Sequence, residues 1–283
     1  MPTVYNTLLL DTASDALVLA LTEQPLACSN TPPPTTYWNE PHVVINQQQQ
    51  RQHSALMIPQ LQALLQQVGQ HPQQLQTLVV TTGPGSFTGV RVAVNVARLL
   101  GQWLPTLQLV GLSTLQRWAL QAYLHNHLHN NLPTHVTPLA LNPTPMPLST
   151  ITLLDARQGK VFAGVHYFSG TGQGKTIAEA LVALNDLRAW LAQIALPNVG
   201  ITHGVLSPTL LALEPQLSHL PQLQHTQWNT TEAFTWQQTG LMALKLASAC
   251  FQLPTVPWEA LVPTYLQSPN ISTPKISTPN NRP

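Results

Sequence analysis

Charge is what this sequence has least of. Acidic and basic residues together make up 7% of its 283 residues, against roughly 25% in an ordinary soluble domain, and the formal net charge is +1. So small a surplus creates no broad electrostatic field. That excludes tight nucleic-acid binding driven by phosphate neutralisation and leaves any role in RNA chemistry to pass through a partner. Cysteine is nearly missing: Cys28 and Cys250, far apart in the chain, make neither a disulfide framework nor a metal-ligand cluster, so a reducing cytoplasm is expected. No stretch of about 18 apolar residues occurs, and Asp11 interrupts the only early hydrophobic run. Neither a membrane span nor a secretory leader is expected. No Gly-x-Ser-x-Gly elbow is present to support a hydrolase triad.

What is there speaks most distinctly at Gly83-Pro84-Gly85-Ser86-Phe87-Thr88-Gly89-Val90-Arg91. A β-branched run, Leu78 to Thr82, precedes it and a helix-compatible run, Val90 to Leu104, follows, giving strand, glycine turn, helix. Gly83, Gly85 and Gly89 let the backbone reverse tightly and come close to whatever lies above the strand end. Ser86 or Thr88 is expected to cap the helix, whose free N–H groups favour an anionic or acidic group. No Gly-Lys-Ser/Thr follows, so this is not a P-loop, and the G-x-G-x-x-x-G spacing is not the dinucleotide pattern.

Taken in order, Val4 to Leu10 reads as a buried strand ending in Asp11-Thr12. Ala16 to Thr22 reads as its hairpin partner and His42 to Asn46 as a third strand. Pro25 to Pro41 is an extended proline-rich surface loop, and Gln47 to Gln50 a polar excursion. Ser54 is expected to cap a helix running to Val68, with Gly69 at its C-terminal end and Pro59 kinking it. Its apolar face is Met57, Leu61, Leu64 and Val68. The helix from Val90 to Leu104 is apolar on two lines, one of them Val90, Val94 and Ala97, with Arg91 and Arg98 on its polar line. Faces this wide predict a second packing layer, supplied by this chain or by a partner's helix. Leu107 to Gly111 gives a further strand, and Ser113 caps a helix to about Leu128.

This order, an antiparallel meander followed by crossovers, predicts a ribonuclease-H-like α/β unit over 1–129. Residues 130–149, rich in proline and threonine, form a linker or surface excursion. A second unit over 150–266 opens with a hairpin, Ile151 to Leu154 returning at Val161 to Phe168. Gly170 to Lys175 reads as a flexible turn, Asn185 to Ile194 and Phe234 to Cys250 as helices, and Val199 to Thr202 as a short strand. Residues 267–283 read as a disordered tail. The one i, i+4 histidine pair, His125 and His129 with His127 between them, lies in an Asn-rich stretch and reads as a solvated helix end. His53 would need a second imidazole at position 57, where Met57 stands. No metal site is assigned.

Several segments together resemble one family. They are Asp11-Thr12, His53-Ser54, Gly83 to Arg91, Gly111-Leu112-Ser113-Thr114-Leu115, Leu154-Asp155-Ala156-Arg157 and Pro263-Thr264-Tyr265-Leu266. In this order and spacing they are similar to the TsaB (YeaZ) family, the bacterial non-catalytic partner in making N6-threonylcarbamoyladenosine at position 37 of tRNA. The resemblance implies an actin-like ATPase-superfamily fold with two ribonuclease-H-like halves, the second reduced, and no cofactor. It implies a heterodimer with a TsaD-type ligase subunit through the N-terminal helices, and a TsaE-type ATPase in the assembled complex. A homodimer is implied when the chain is alone, with tRNA reached only through the complex. The interface expected from the helices is Met57, Leu61, Leu64, Val68, Val90, Arg91, Val94, Ala97 and Arg98. Asp11 and Asp155 occupy strand ends that carry phosphate-facing acids in that superfamily and would be vestigial here. The alternative is an autonomous nucleotide-binding or ATP-hydrolysing enzyme.

Overall fold

A computed structural model of the protein describes residues 5–13, 17–22, 42–46, 53–129, 148–169, 173–194, 199–201 and 250–266. The proline-rich loop, the polar tract at 47–50, nearly all of the linker, all but Cys250 of the helix read at Phe234 to Cys250 and the tail lie outside them. The first unit is a six-stranded sheet in the order β10-β5-β4-β1-β2-β3. Strands β1 (Thr7–Asp11), β2 (Leu17–Thr22) and β3 (His42–Asn46) form an antiparallel meander. Strands β4 (Thr77–Gly83) and β5 (Gln108–Ser113) add parallel to β1. Helix α1 (His53–Gln67) leads into β4, and α2 (Phe87–Trp103) joins β4 to β5.

Both faces of this sheet are covered, which is why β1 and β4 read as near-continuous apolar runs. Successive side chains on a strand point to opposite faces. Leu8 and Leu10 therefore join Met57, Leu61 and Leu64 of α1 and Val90, Val94 and Ala97 of α2 in one core. Leu9 and Val79 face the other way, onto Ala119, Leu120 and Tyr123 of helix α3 (Thr114–His129). The second unit is a four-stranded sheet in the order β8-β7-β6-β9. Its strands are β6 (Leu148–Arg157), β7 (Lys160–Phe168), β8 (Gly174–Ala183) and β9 (Val199–Ile201). Leu115 and Trp118 of α3 pack on Leu154 and Phe162, and the far face of the sheet takes Leu187 and Leu191 of the short α4 (Leu187–Ala192). The layers run α1 with α2, first sheet, α3, second sheet, α4. The fold is of the actin-like ATPase type, and among the described residues its second sheet has four strands against six in the first.

Local chemistry sets the helix ends. Ser86 accepts the Gly89 N–H at 3.2 Å and is the N-cap of α2, so the helix starts at Phe87 rather than Val90 and Thr88 lies within it. Ser113 Oγ accepts the Leu115 N–H while Gln116 Oε1 accepts the Ser113 N–H, a reciprocal cap that starts α3. Gly69, at φ +65°, ends α1, and the N–H groups of Gly69 and Gln70 return to the carbonyls of Gln66 and Leu65. Helix α1 continues through Pro59. Leu148 and Ser149 belong to β6 rather than to the linker.

Gly174 and Lys175 open β8 rather than forming a turn, because nine of the ten residues from Gly174 pair antiparallel with β7, Ile177 bulging out of register. The last described segment returns to the first sheet. β10 (Thr255–Val256) pairs with the β5 edge, Leu261 enters the core beneath α1 and α2, and the Thr264 N–H donates to the Thr82 carbonyl at 2.6 Å.

Candidate functional site

The glycine loop is built against this chain's own first hairpin. A Cβ on Gly85 would run into the carbonyl of Ala13, and one on Gly89 into that of Thr12, so only glycine permits the approach. Three polar contacts fasten it. Ser86 N–H donates to the Ala13 carbonyl at 2.7 Å, Thr12 Oγ1 donates to the Gly89 carbonyl at 2.6 Å, and Asp11 Oδ1 accepts the Ala13 N–H at 2.9 Å. A Cβ on Gly83 would meet the Thr264 carbonyl at 2.7 Å, so the C-terminal strap closes over the loop from the other side. The space expected to favour an anion above the helix start is taken on these two sides by the protein's own backbone.

Asp11 is sealed. Its side chain is 1% exposed; Oδ1 also accepts the Thr81 hydroxyl at 2.6 Å, and Oδ2 faces Arg117 Nε at 3.4 Å. Arg117, equally buried, projects from α3 with its guanidinium 4.5 Å from the Trp118 ring centroid. Burial pushes the guanidinium below its ordinary pKa and the Asp11 carboxylate pulls it back. Asp155, on the second sheet, spends Oδ1 on the Arg157 N–H at 2.7 Å, closing its own hairpin turn. The two acids therefore have separate partners. Sequence reading missed Arg117, because an arginine four residues into an amphipathic helix is ordinarily solvated.

The helices need a correction. Met57, Leu61, Leu64, Val90, Val94 and Ala97, expected at an interface, are buried beneath the chain's own first sheet. Val68 is half-buried against the same core. The physical reason is that one wide helix stripe looks the same from either side, and this one fills the sheet. What faces outward is a different line on α2, spaced by fours: Phe87, Arg91, Asn95, Leu99 and Trp103. Trp103 is 77% exposed, Leu99 53%, and Ile58 on the neighbouring α1 44%. Arg91 stacks over Phe87 at 4.4 Å and its Nε donates to Tyr265 Oη at 3.1 Å, while Arg98 lies 5.8 Å from the Trp258 ring.

A second polar cluster joins the two sheets. Glu179 Oε1 accepts Ser113 Oγ at 2.8 Å and contacts His166 Nε2 at 3.1 Å, and Gln116 Nε2 donates to Thr176 Oγ1 at 3.0 Å. No three metal-ligating side chains converge among the described residues, and no helix among them is long and apolar enough to cross a membrane. The side chains of His125, His127 and His129 lie outside those described.

Comparison with known proteins places this architecture. A family model described as TsaD: tRNA N6-adenosine threonylcarbamoyltransferase matches residues 40–191, more than half of the chain. The chain belongs to the TsaD/TsaB (YeaZ) family. Similarity within it runs to proteins named tRNA threonylcarbamoyladenosine biosynthesis protein TsaB. The Bacillus subtilis protein is 26% identical over 144 residues, 51% of this chain and 52% of the relative. The Escherichia coli protein is 36% identical over 78 residues, 27% of this chain and 32% of the relative. The aligned region thus spans about half or less of the curated relatives.

Two solved structures from Pseudomonas aeruginosa share the fold across 92% of this chain at 17% identity. One, described as an uncharacterized protein with similarity to peptidase YeaZ, has a TM-score of 0.60 and is covered over 99% of its length. The other, described as YeaZ, has a TM-score of 0.58 and is covered over 98%. In the TsaB family setting, the glycine loop and the outer line of α2 are the features on which a functional reading turns.

Proposed function

We propose that this protein is a non-catalytic subunit that supports a TsaD-type ligase in forming N6-threonylcarbamoyladenosine on tRNA, docking through the outward faces of α1 and α2. The observation that carries the reading is the exposed apolar line of α2. Leu99 and Trp103 are left in water although the inner stripe of the same helix is filled, and two large apolar side chains exposed one turn apart suit a protein interface. Names of the relatives supply the pathway. The state of Asp11 supports the non-catalytic part, since a carboxylate enclosed by Ala13, Thr81 and Arg117 offers no oxygen to a metal-bound nucleotide. A TsaE-type ATPase joins the assembled complex, tRNA is reached through it, a second copy occupies the same helices when the ligase is missing, and the cytoplasm is the site of action.

Leu99→Glu combined with Trp103→Glu tests the interface. Both side chains already face solvent, so the variant should melt within a few degrees of the parent protein. It should no longer co-elute with the cognate TsaD-type subunit or support modified-adenosine formation. Undiminished co-elution would remove the interface. Multiple-turnover ATP hydrolysis by the purified chain alone would instead favour an autonomous enzyme.

A further inference from the structure

We propose that Arg117 is a resident counter-cation: the end of β1 carries a buried cation-binding site, built around Asp11 and the Trp118 ring, that this chain fills with its own guanidinium. The two oxygens of Asp11 have divided duties. Oδ1 is committed to the Ala13 N–H and the Thr81 hydroxyl, so the remaining negative charge is concentrated at Oδ2. Among the described residues Oδ2 accepts no hydrogen bond, and Arg117 Nε stands 3.4 Å from it. On another side of the guanidinium lies the aromatic face of Trp118, with the guanidinium carbon 4.5 Å from the ring centroid. A carboxylate edge and a π face together are what a planar, weakly hydrated organic cation requires when it leaves water. Both charged side chains are 1% exposed, so this is an enclosed site and not a surface ion pair.

Burial is costly for either charge alone. An isolated carboxylate or guanidinium in an apolar interior is strongly disfavoured, whereas the pair holds together because each removes the other's penalty. The ligand class follows from the geometry: a guanidinium-type monocation fits, and a single carboxylate oxygen does not furnish the six oxygens a magnesium ion takes. In the intact protein the site is permanently loaded from α3. A metal-bound nucleotide approaching β1 would meet a carboxylate already neutralised from within. This inference stands apart from the choice of partner, and its test uses the chain alone.

Arg117→Ala removes the guanidinium and two methylenes, the atoms of ethylguanidinium. Thermal melting of the full chain with ethylguanidinium chloride should show a selective rise for this variant. At ten times the Kd the rise is about 3–6 °C, relative to equal tetramethylammonium chloride. Neither the unsubstituted protein nor Asp11→Asn/Arg117→Ala should respond selectively. A folded Arg117→Ala that shows no selective rise, or a double variant that responds equally, overturns the proposal.

Should Arg117→Ala fail to fold, Arg117→Met gives a second reading without any ligand. Asp11→Asn should lower the melting temperature when Arg117 is present, since it takes the negative charge from beside the guanidinium. On the Arg117→Met background it should raise it, since it neutralises a stranded carboxylate. Equal lowering on both backgrounds would show that the two groups are not coupled and would end the proposal.

Discussion

Gly89→Ala should destabilise this protein, although the same exchange inside a helix ordinarily gains up to about 1 kcal/mol from propensity. The added methyl would enter the carbonyl of Thr12, so the β1–β2 turn and the helix start must separate. Separation breaks the Thr12 Oγ1 bond to the Gly89 carbonyl, 2.6 Å, and the Ser86 N–H bond to the Ala13 carbonyl, 2.7 Å. Each is worth about 1 kcal/mol net, and forcing a methyl into a filled space adds about 1–3 kcal/mol. Less the propensity gain, the loss is about 2–4 kcal/mol.

Urea unfolding followed by tryptophan fluorescence reads this directly, and Gly101→Ala on the same helix is the control. There the atoms met are Leu109 Cδ1 at 2.7 Å, the end of a side chain, and Trp258 Cβ at 3.0 Å, with no backbone carbonyl in the way, so the control should lose less than Gly89→Ala. If Gly89→Ala is as stable as the parent, or less affected than the control, the loop is not held by the first hairpin and the reasoning fails.

Two further outcomes follow from packing and from the inter-sheet cluster. Leu64→Ala, at a fully buried position under the first sheet, should cost about 2–5 kcal/mol in the same unfolding assay, while Leu99→Ala should change stability by less than about 0.5 kcal/mol. Equal effects would reverse the assignment of inner and outer faces. Glu179→Ala leaves Ser113 and the buried His166 without their shared acceptor and should cost about 1–3 kcal/mol. Glu179→Gln keeps an acceptor and should cost less, so indistinguishable unfolding curves would count against the cluster as a join between the sheets.

Much of this architecture was legible because its signals are local. The apolar runs at Leu8 to Leu10 and Leu78 to Val80 marked strands covered on both faces, Gly69 and Ser113 marked helix ends, and the glycine loop marked the turn after β4. What escaped reading depended on contacts distant in sequence. The apolar width of α2 announced that something covers it without saying which stripe meets the sheet, so Val94 and Ala97 looked available when Leu99 and Trp103 were the ones left outside. Strand β8 was hidden because Glu179 and Thr176, which pair across to α3 and β5, break its apolar alternation. β10 has two residues next to prolines, too short for any period. Arg117 was invisible because its counter-charge lies on β1, more than a hundred residues earlier.

The returning strap has a consequence for the order in which this molecule can be made. Its β10 supplies an edge to β5, Leu261 fills a place beneath α1 and α2, and Thr264 closes over Gly83. A ribosome that has released only the first hundred and thirty residues has therefore delivered a half with an open seam. Translation must pass Tyr265 before the unit built on the first sheet is complete, so the face offered by α2, with Tyr265 against Phe87 and Arg91, matures only after the strap has left the ribosome.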